Sequence, residues 1–201
     1  MTRLLEVVGR GSLKAEPDMM RFNYELVQDA PSYGEAFDKL SKQFDALVKV
    51  FKTVGFNVSL IQTSSINVSI IHETDVQKKK FRGNQSLIFE DRINLAKMSK
   101  LLDGLRSEDD FNFSLSYFIK DATKYTNDAL ILAINDAHDK SKVIAESAGV
   151  RLGSITNIVY ESDSQSHPSL MRAYAYDTGG SDIHATNITI EQSVTMSWEI
   201  K

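Results

Sequence analysis

From Ser32 to Val54 the apolar residues Tyr33, Phe37, Leu40, Phe44, Leu47, Phe51 and Val54 recur at alternating steps of four and three, which lays them along one side of a helix. Both ends carry signals. Ser32 and Glu35 have the S-x-x-E spacing of a capping box, and Gly55 supplies a left-handed stop. A second, short helix is expected over Asn94 to Leu105, with Leu95, Met98, Leu101, Leu102 and Leu105 on one side. A third is expected from Asn127 to Ala148, ending at Gly149. Its stripe is made of small residues, Ala129, Ala133, Ala137, Ala145 and Ala148, with Ile134 and Ile144 beside them, so it should lie close against a sheet or another helix.

Elsewhere the period is two, as a half-buried strand requires. Met20, Phe22, Tyr24 and Leu26 alternate with polar residues, as do Phe111, Phe113, Leu115 and Tyr117, and Val194, Met196, Trp198 and Ile200. The stretches FNVSLIQTSSINVSIIHET and QSLIFEDRI read as further strands, joined across DVQKKKFRGN, where Gly83-Asn84 and the charges indicate a hairpin tip or longer loop. Strand pairs separated by helices indicate an α+β fold: a mixed, mostly antiparallel sheet or sheets, with one long amphipathic helix, one short helix and one Ala-rich helix packed on them. No Pro/Gly-rich linker divides the chain, so residues 1–201 read as a single domain, with 1–92 and 93–201 as candidate lobes.

Charge and composition narrow the chemistry. A net charge of −4 gives no global attraction to nucleic acid or anionic lipid, and no nucleic-acid motif is present. The absence of cysteine excludes a thiol nucleophile, a thiolate zinc site and a disulfide framework, and leaves the compartment open. MTRLLEVVGRG lacks the form of an export signal and reads as the start of a cytoplasmic protein; a leader removed upstream would make it periplasmic or secreted. No apolar window reaches the length of a bilayer-spanning helix.

Candidate site residues are few. Gly9-Arg10-Gly11 lacks the third glycine of a dinucleotide fingerprint, and Pro17-Asp18 turns the chain before a helix can start, so the pair is expected to relieve a bulge or sharp bend in the first strand. Lys78, Lys79, Lys80 and Arg82 form the one dense basic run and a candidate anion-contact patch, against the plainer reading of a solvated hairpin tip. The histidines His72, His138, His167 and His184 show no metal-ligand spacing. His167, Asp177, Asp182 and His184, with Asp163 nearby, fall in one polar stretch over 160–186, a candidate loop site for a small molecule, metal or hydrolytic reaction. No serine stands in a nucleophile elbow, and no catalytic residue, cofactor or metal site is assigned.

VVGRGSLKAEPDMMRF, the Glu35-Ala36 helix ending in TVGFNVSLIQTSS, the segment DALILAINDAHDKSKVIAESAGVRLGSITNIVYES and the closing NITIEQSVTMSWEIK together resemble the SIMPL-domain family of unknown function. Its members include periplasmic immunogenic and oxidative-stress-related proteins of bacteria. The resemblance implies an α+β domain that assembles into ring-like or larger homo-oligomers, with no established enzymatic activity and no catalytic residues to carry over. The expected function is therefore a non-enzymatic, self-assembling, stress-associated role with no named protein partner. The C-terminal SVTMSWEI is the strand expected to offer an exposed edge to a neighbouring subunit. The alternatives are the 160–186 loop site and an anionic-surface binder acting through the 78–82 run.

Overall fold

A computed structural model describes residues 3–72, 79–105, 113–160, 173–174 and 185–201. The strands are β1 (Arg3–Ala15), β2 (Met19–Ala30), β3 (Ile61–Thr63), β4 (Asn67–His72), β5 (Lys79–Arg92), β6 (Phe113–Phe118), β7 (Leu152–Val159), the two-residue β8 (Ala173–Tyr174) and β9 (Ile188–Ile200). The helices are α1 (Tyr33–Val54), α2 (Leu95–Leu105) and α3 (Thr123–Ser147). This is the expected α+β class, and the pairs β1/β9, β7/β9, β2/β5, β3/β5 and β4/β5 are all antiparallel. The chain forms two compact units. One comprises residues 1–17, 118–173 and 186–201, and the other residues 18–117 and 174–185.

In the first unit β9 is the centre of a three-stranded sheet ordered β1-β9-β7, with α3 packed on it. Alternation puts Val7, Gly9 and Gly11 of β1 and Val194, Met196 and Trp198 of β9 on the face toward α3. Val7, Val194, Met196 and Trp198 form a core with Ala133 and Ala137 of the helix. A second cluster joins Ala15, Ile188 and Ile190 of the sheet to Ile119, Ala122 and Ala129.

The small-residue stripe therefore does what its composition suggests, with Ser141 in place of Ala148 at the buried surface: Ser141 is fully buried and Ala148 is exposed. Helix α3 also starts at Thr123 rather than Asn127, because Asp121 Oδ1 accepts the Thr123 N–H at 3.0 Å and satisfies a first-turn donor.

The glycines of β1 have a different purpose from the one expected. The β1/β9 register runs without interruption from Arg3↔Ile200 to Ala15↔Ile188, so β1 carries no bulge. A Cβ on Gly9 would strike the carbonyl oxygen of Ala133 and sit 2.7 Å from the Ala137 nitrogen. A Cβ on Gly11 would strike the carbonyl oxygen of Ala129 and sit 2.8 Å from Leu132 Cβ. Helix backbone rests on strand backbone at these two positions.

The second unit is built on a sheet ordered β3-β5-β2-β6-β8, with β4 also pairing β5. Met20, Phe22, Tyr24 and Leu26 of β2 are buried, as are Leu40, Leu47 and Phe51 of α1 and Leu87 and Phe89 of β5. Phe51 meets Phe89 at 4.9 Å and Phe22 at 5.8 Å between ring centroids, both edge to face, the arrangement favoured by the aromatic quadrupole. The α1 stripe is narrower at its start than its spacing predicts: Ala36 is buried, whereas Tyr33 and Phe37 are largely exposed. Its ends show the Ser32 half of the capping box and the expected stop. Ser32 Oγ accepts from the Glu35 N–H at 3.3 Å, and Gly55 adopts φ 86°.

Two boundaries differ from the sequence reading. Val58–Leu60 is a 3₁₀ turn rather than strand, because Asn57 Oδ1 accepts from the Ser59 N–H at 3.1 Å and draws the backbone into a local turn. Residues 79–84, expected as a loop, are the first half of β5. Gly83 sits within that strand, where a Cβ would come 3.1 Å from Leu40 Cδ1 of α1, so this glycine too serves packing rather than a turn.

Gly9→Ala and Gly11→Ala are expected to destabilise the first unit by at least the ~1–3 kcal/mol typical of overpacking, since backbone rather than a flexible side chain must move. Trp198, the one tryptophan of the chain, lies in that core, so denaturant unfolding followed by its fluorescence measures the loss. Unchanged midpoints would contradict the packing described.

Candidate functional site

The described part of the basic run lies on one strand, and one of its cations is paired within the chain. Lys78 lies outside the described residues; Lys79, Lys80 and Arg82 lie on β5, opposite His72, Ile71 and Ser69 of β4. Arg82 also stands opposite Asp29 of β2 and grips it with both arms of its fork, Nε to Oδ1 and Nη2 to Oδ2, each at 2.8 Å. The Arg82 hydrogen bond holds the Asp29 carboxyl below its ordinary pKa of 3.8, helped by the charges of Arg82, Lys80 and Lys39. Arg82 is thus committed to a carboxylate of its own chain.

His167, Asp177, Asp182 and His184 lie outside the described residues, as does Asp163, and so does the side chain of His72. His138, on α3, sets its ring edge against Trp198 at 5.6 Å. Among the described residues no group of three or more His, Cys, Asp or Glu side chains is placed to hold a metal ion.

Two recesses of about 410 Å³ open on the second unit. One lies against the sheet between Asn23, Glu25, Ser86, Ile88, Phe113 and Ser114, where Asn23 Nδ2 donates to Ser114 Oγ at 3.1 Å. The other is a groove between α1 and α2, floored by Val50, Val54 and Gly104 and flanked by Lys49 and Lys100. A fully buried phenol, Tyr117, lines neither recess. Its hydroxyl has no hydrogen-bond partner among the described residues, and burial pushes its pKa up to about 12. Neither recess brings together a nucleophile, a base and an orienting group.

The edges of the three-stranded sheet are more distinctive. The C-terminal strand was expected to be exposed, but β9 is central and paired on both sides, which removes SVTMSWEI as an edge. Among the described residues the edges are β1 and β7, and they differ in chemistry. Along β1, the N–H of Arg10 donates not to β9 but to Asp136 Oδ2 of α3 at 2.7 Å. The same oxygen accepts from Lys140 Nζ at 2.7 Å, and these two contacts keep the Asp136 carboxyl below its ordinary pKa.

Antiparallel ladders alternate inward and outward backbone groups, so Glu6, Arg10 and Lys14 belong to the outward set. Charges therefore punctuate this edge. Strand β7, LGSITNIV followed by Tyr160, carries no charge and no proline. Its side chains are exposed beyond Leu152, including Ile155 at 40%, Ile158 at 56% and Val159 at 42%. Its register with β9 shifts twice before Asn157, and Asn157–Val159 then pair regularly with Ser197–Thr195. The uncharged run from Leu152 to Tyr160 is the sequence signal that could have marked this edge.

An α+β chain with antiparallel sheets and no assembled catalytic constellation among its described residues is the class these features define. The family profile for SIMPL, protein of unknown function (DUF541), matches residues 5–198, and the chain belongs to that family. The 26 kDa periplasmic immunogenic proteins of Brucella melitensis biotype 1 and Brucella abortus strain S19 are each 26% identical over 168 residues. The match covers 77% of this chain and 65% of the length of each Brucella protein. Two Listeria innocua crystal structures align over 95% of this chain and 92% of theirs. An uncharacterized conserved protein has a TM-score of 0.26 at 9% identity, and a hydrolase has a TM-score of 0.22 at 10% identity.

Substituting Arg82→Ala is expected to return the Asp29 titration toward its ordinary range. Because the folded-state pKa is depressed, the pair's contribution is present above about pH 3.8 and is lost as pH falls through the lower folded value. Carboxyl NMR titration of Asp29 checks the shift, and a slight stability gap between Arg82→Ala and wild type, present at neutral pH and closing in acid, checks the linkage.

Proposed function

We propose that this protein is a non-enzymatic SIMPL-family assembly module whose work is done by contact with copies of itself. The observation that carries the reading is the outer edge of β7: unpaired by any strand among the described residues, uncharged, and bordered by the exposed side chains of Ile155, Ile158 and Val159. An edge of this kind offers both backbone hydrogen-bonding groups and apolar area, and native proteins ordinarily blunt it unless it is used. The periplasmic naming of the Brucella relatives supports placing the module in the periplasm, a compartment that a chain without cysteine tolerates as well as the cytoplasm. The resemblance to stress-related family members extends the proposal to a stress-associated role.

Light scattering coupled to gel filtration at micromolar concentration is expected to report a mass above one chain. Ile158→Lys, which sets a charge on the β7 edge, is expected to shift the population toward single chains while leaving far-UV circular dichroism unchanged. A wild-type protein that is monomeric throughout would overturn the proposal. Recovery in an osmotic-shock fraction of the native host tests the compartment.

A further inference from the structure

The two edges of the three-stranded sheet are not equivalent, and the difference dictates how copies can join. A sheet whose two edges carry no further strand, as here among the described residues, can grow head to tail, the β1 edge of one copy on the β7 edge of the next, which gives rings or open filaments according to the rotation between copies. Here the β1 edge is closed at its middle. Arg10 needs its outward N–H to accept a neighbouring strand, and that N–H is already bonded to Asp136, whose carboxylate is anchored by Lys140 one helical turn further on. An incoming strand would have to break both contacts and set its own carbonyl beside a carboxylate. The charged side chains of Glu6 and Lys14 bracket the same edge. On β7, by contrast, no side chain is charged, and although its register with β9 shifts twice before Asn157, residues Asn157–Val159 pair regularly.

We infer that Asp136 is a gate against head-to-tail sheet extension, and that a second copy of this chain joins through β7 against β7 around a two-fold axis. This rests on the self-association proposed above. A two-fold axis perpendicular to the sheet makes the two β7 strands antiparallel, which continues the pattern of β1/β9 and β7/β9 and yields one six-stranded sheet per pair. The apolar side chains at the junction are then supplied twice, once by each copy. The assembly consequently contains an even number of chains, closed at this interface whatever further contacts join the pairs.

The test uses the full chain and the fact that it has no cysteine of its own. Asn157→Cys introduces a single thiol on β7, and a thiol-specific cross-linker is expected to join it to its own counterpart. Cysteine placed at Ser12 on β1 is expected to remain uncross-linked to itself. Asp136→Ala, at a partly exposed helix position where alanine folds readily, is expected to give species whose mass climbs with protein concentration, and adding Ile158→Lys is expected to abolish that growth.

A wild type that self-associates while Asp136→Ala leaves its mass distribution unchanged would overturn the gate and leave self-association standing. Growth that survives Ile158→Lys, or a self-associating protein whose Asn157→Cys form gives no cross-linked pairs, would overturn the β7 pairing. A monomeric wild type would remove the reading beneath both.

Discussion

The first unit depends on how closely a helix backbone can lie on a strand backbone. Gly9 and Gly11 remove the side chains of β1 at the crossing, and Ala129, Ala133 and Ala137 remove most of those of α3, so carbonyl oxygens of the helix occupy the space where a β-carbon would stand. Dispersion attraction falls off steeply with separation, so this contact is strong only at near-zero clearance. The larger residues of the core, Val7, Val194, Met196 and Trp198, then fill the volume beside the crossing rather than holding the two layers apart. The same proximity lets the short side chain of Asp136 reach a backbone N–H of β1. A bulkier crossing would lift the carboxylate out of range, and β1 would keep only its charges to set it apart from β7.

The second unit solves its packing with the opposite means. Its helix α1 meets the sheet through rings, Phe51 against Phe22 and Phe89, and glycine enters where Gly83 admits Leu40 and where Gly104 of α2 admits Val50 of α1. Area burial by aromatic side chains tolerates a wider gap between layers than the small-residue contact does.

Most elements are legible in the sequence because their signals are local. The α1 cap at Ser32, its stop at Gly55 and the two-residue period of Met20 to Leu26 each follow from neighbours in the chain. What misleads is whatever depends on a distant partner. Gly9-Arg10-Gly11 looks like a bulge because the helix that requires the glycines begins more than a hundred residues later. Asn57-Val58-Ser59 alternates like a strand, yet one Asn side chain bends it into a turn. The basic run reads as a tip because charge and Gly83-Asn84 favour turns, whereas pairing with β2 and β4 keeps residues 79–84 extended.

As for surfaces, a C-terminal strand is readily taken for an edge, but Val194, Met196, Trp198 and the buried Ser197 belong to a strand flanked on both sides. The paired carboxylate of Asp29 that occupies Arg82 has no sequence signature, since Asp29 and Arg82 meet only through the β2/β5 register.

The order of the strands has a consequence for how the protein is made. In the first unit β1 and β7 touch only through β9, and β9 follows both of them along the chain. During synthesis, or during threading through a membrane pore amino end first, α3 can already lie against the glycines of β1, but β1 and β7 gain their shared strand partner only when β9 emerges. The stretch Asp18–Tyr117, the larger of the two segments of the second unit, emerges well before that moment. Vectorial emergence therefore leaves β7, with its exposed Ile155, Ile158 and Val159, waiting for its sheet partner until the last residues of the sequence arrive.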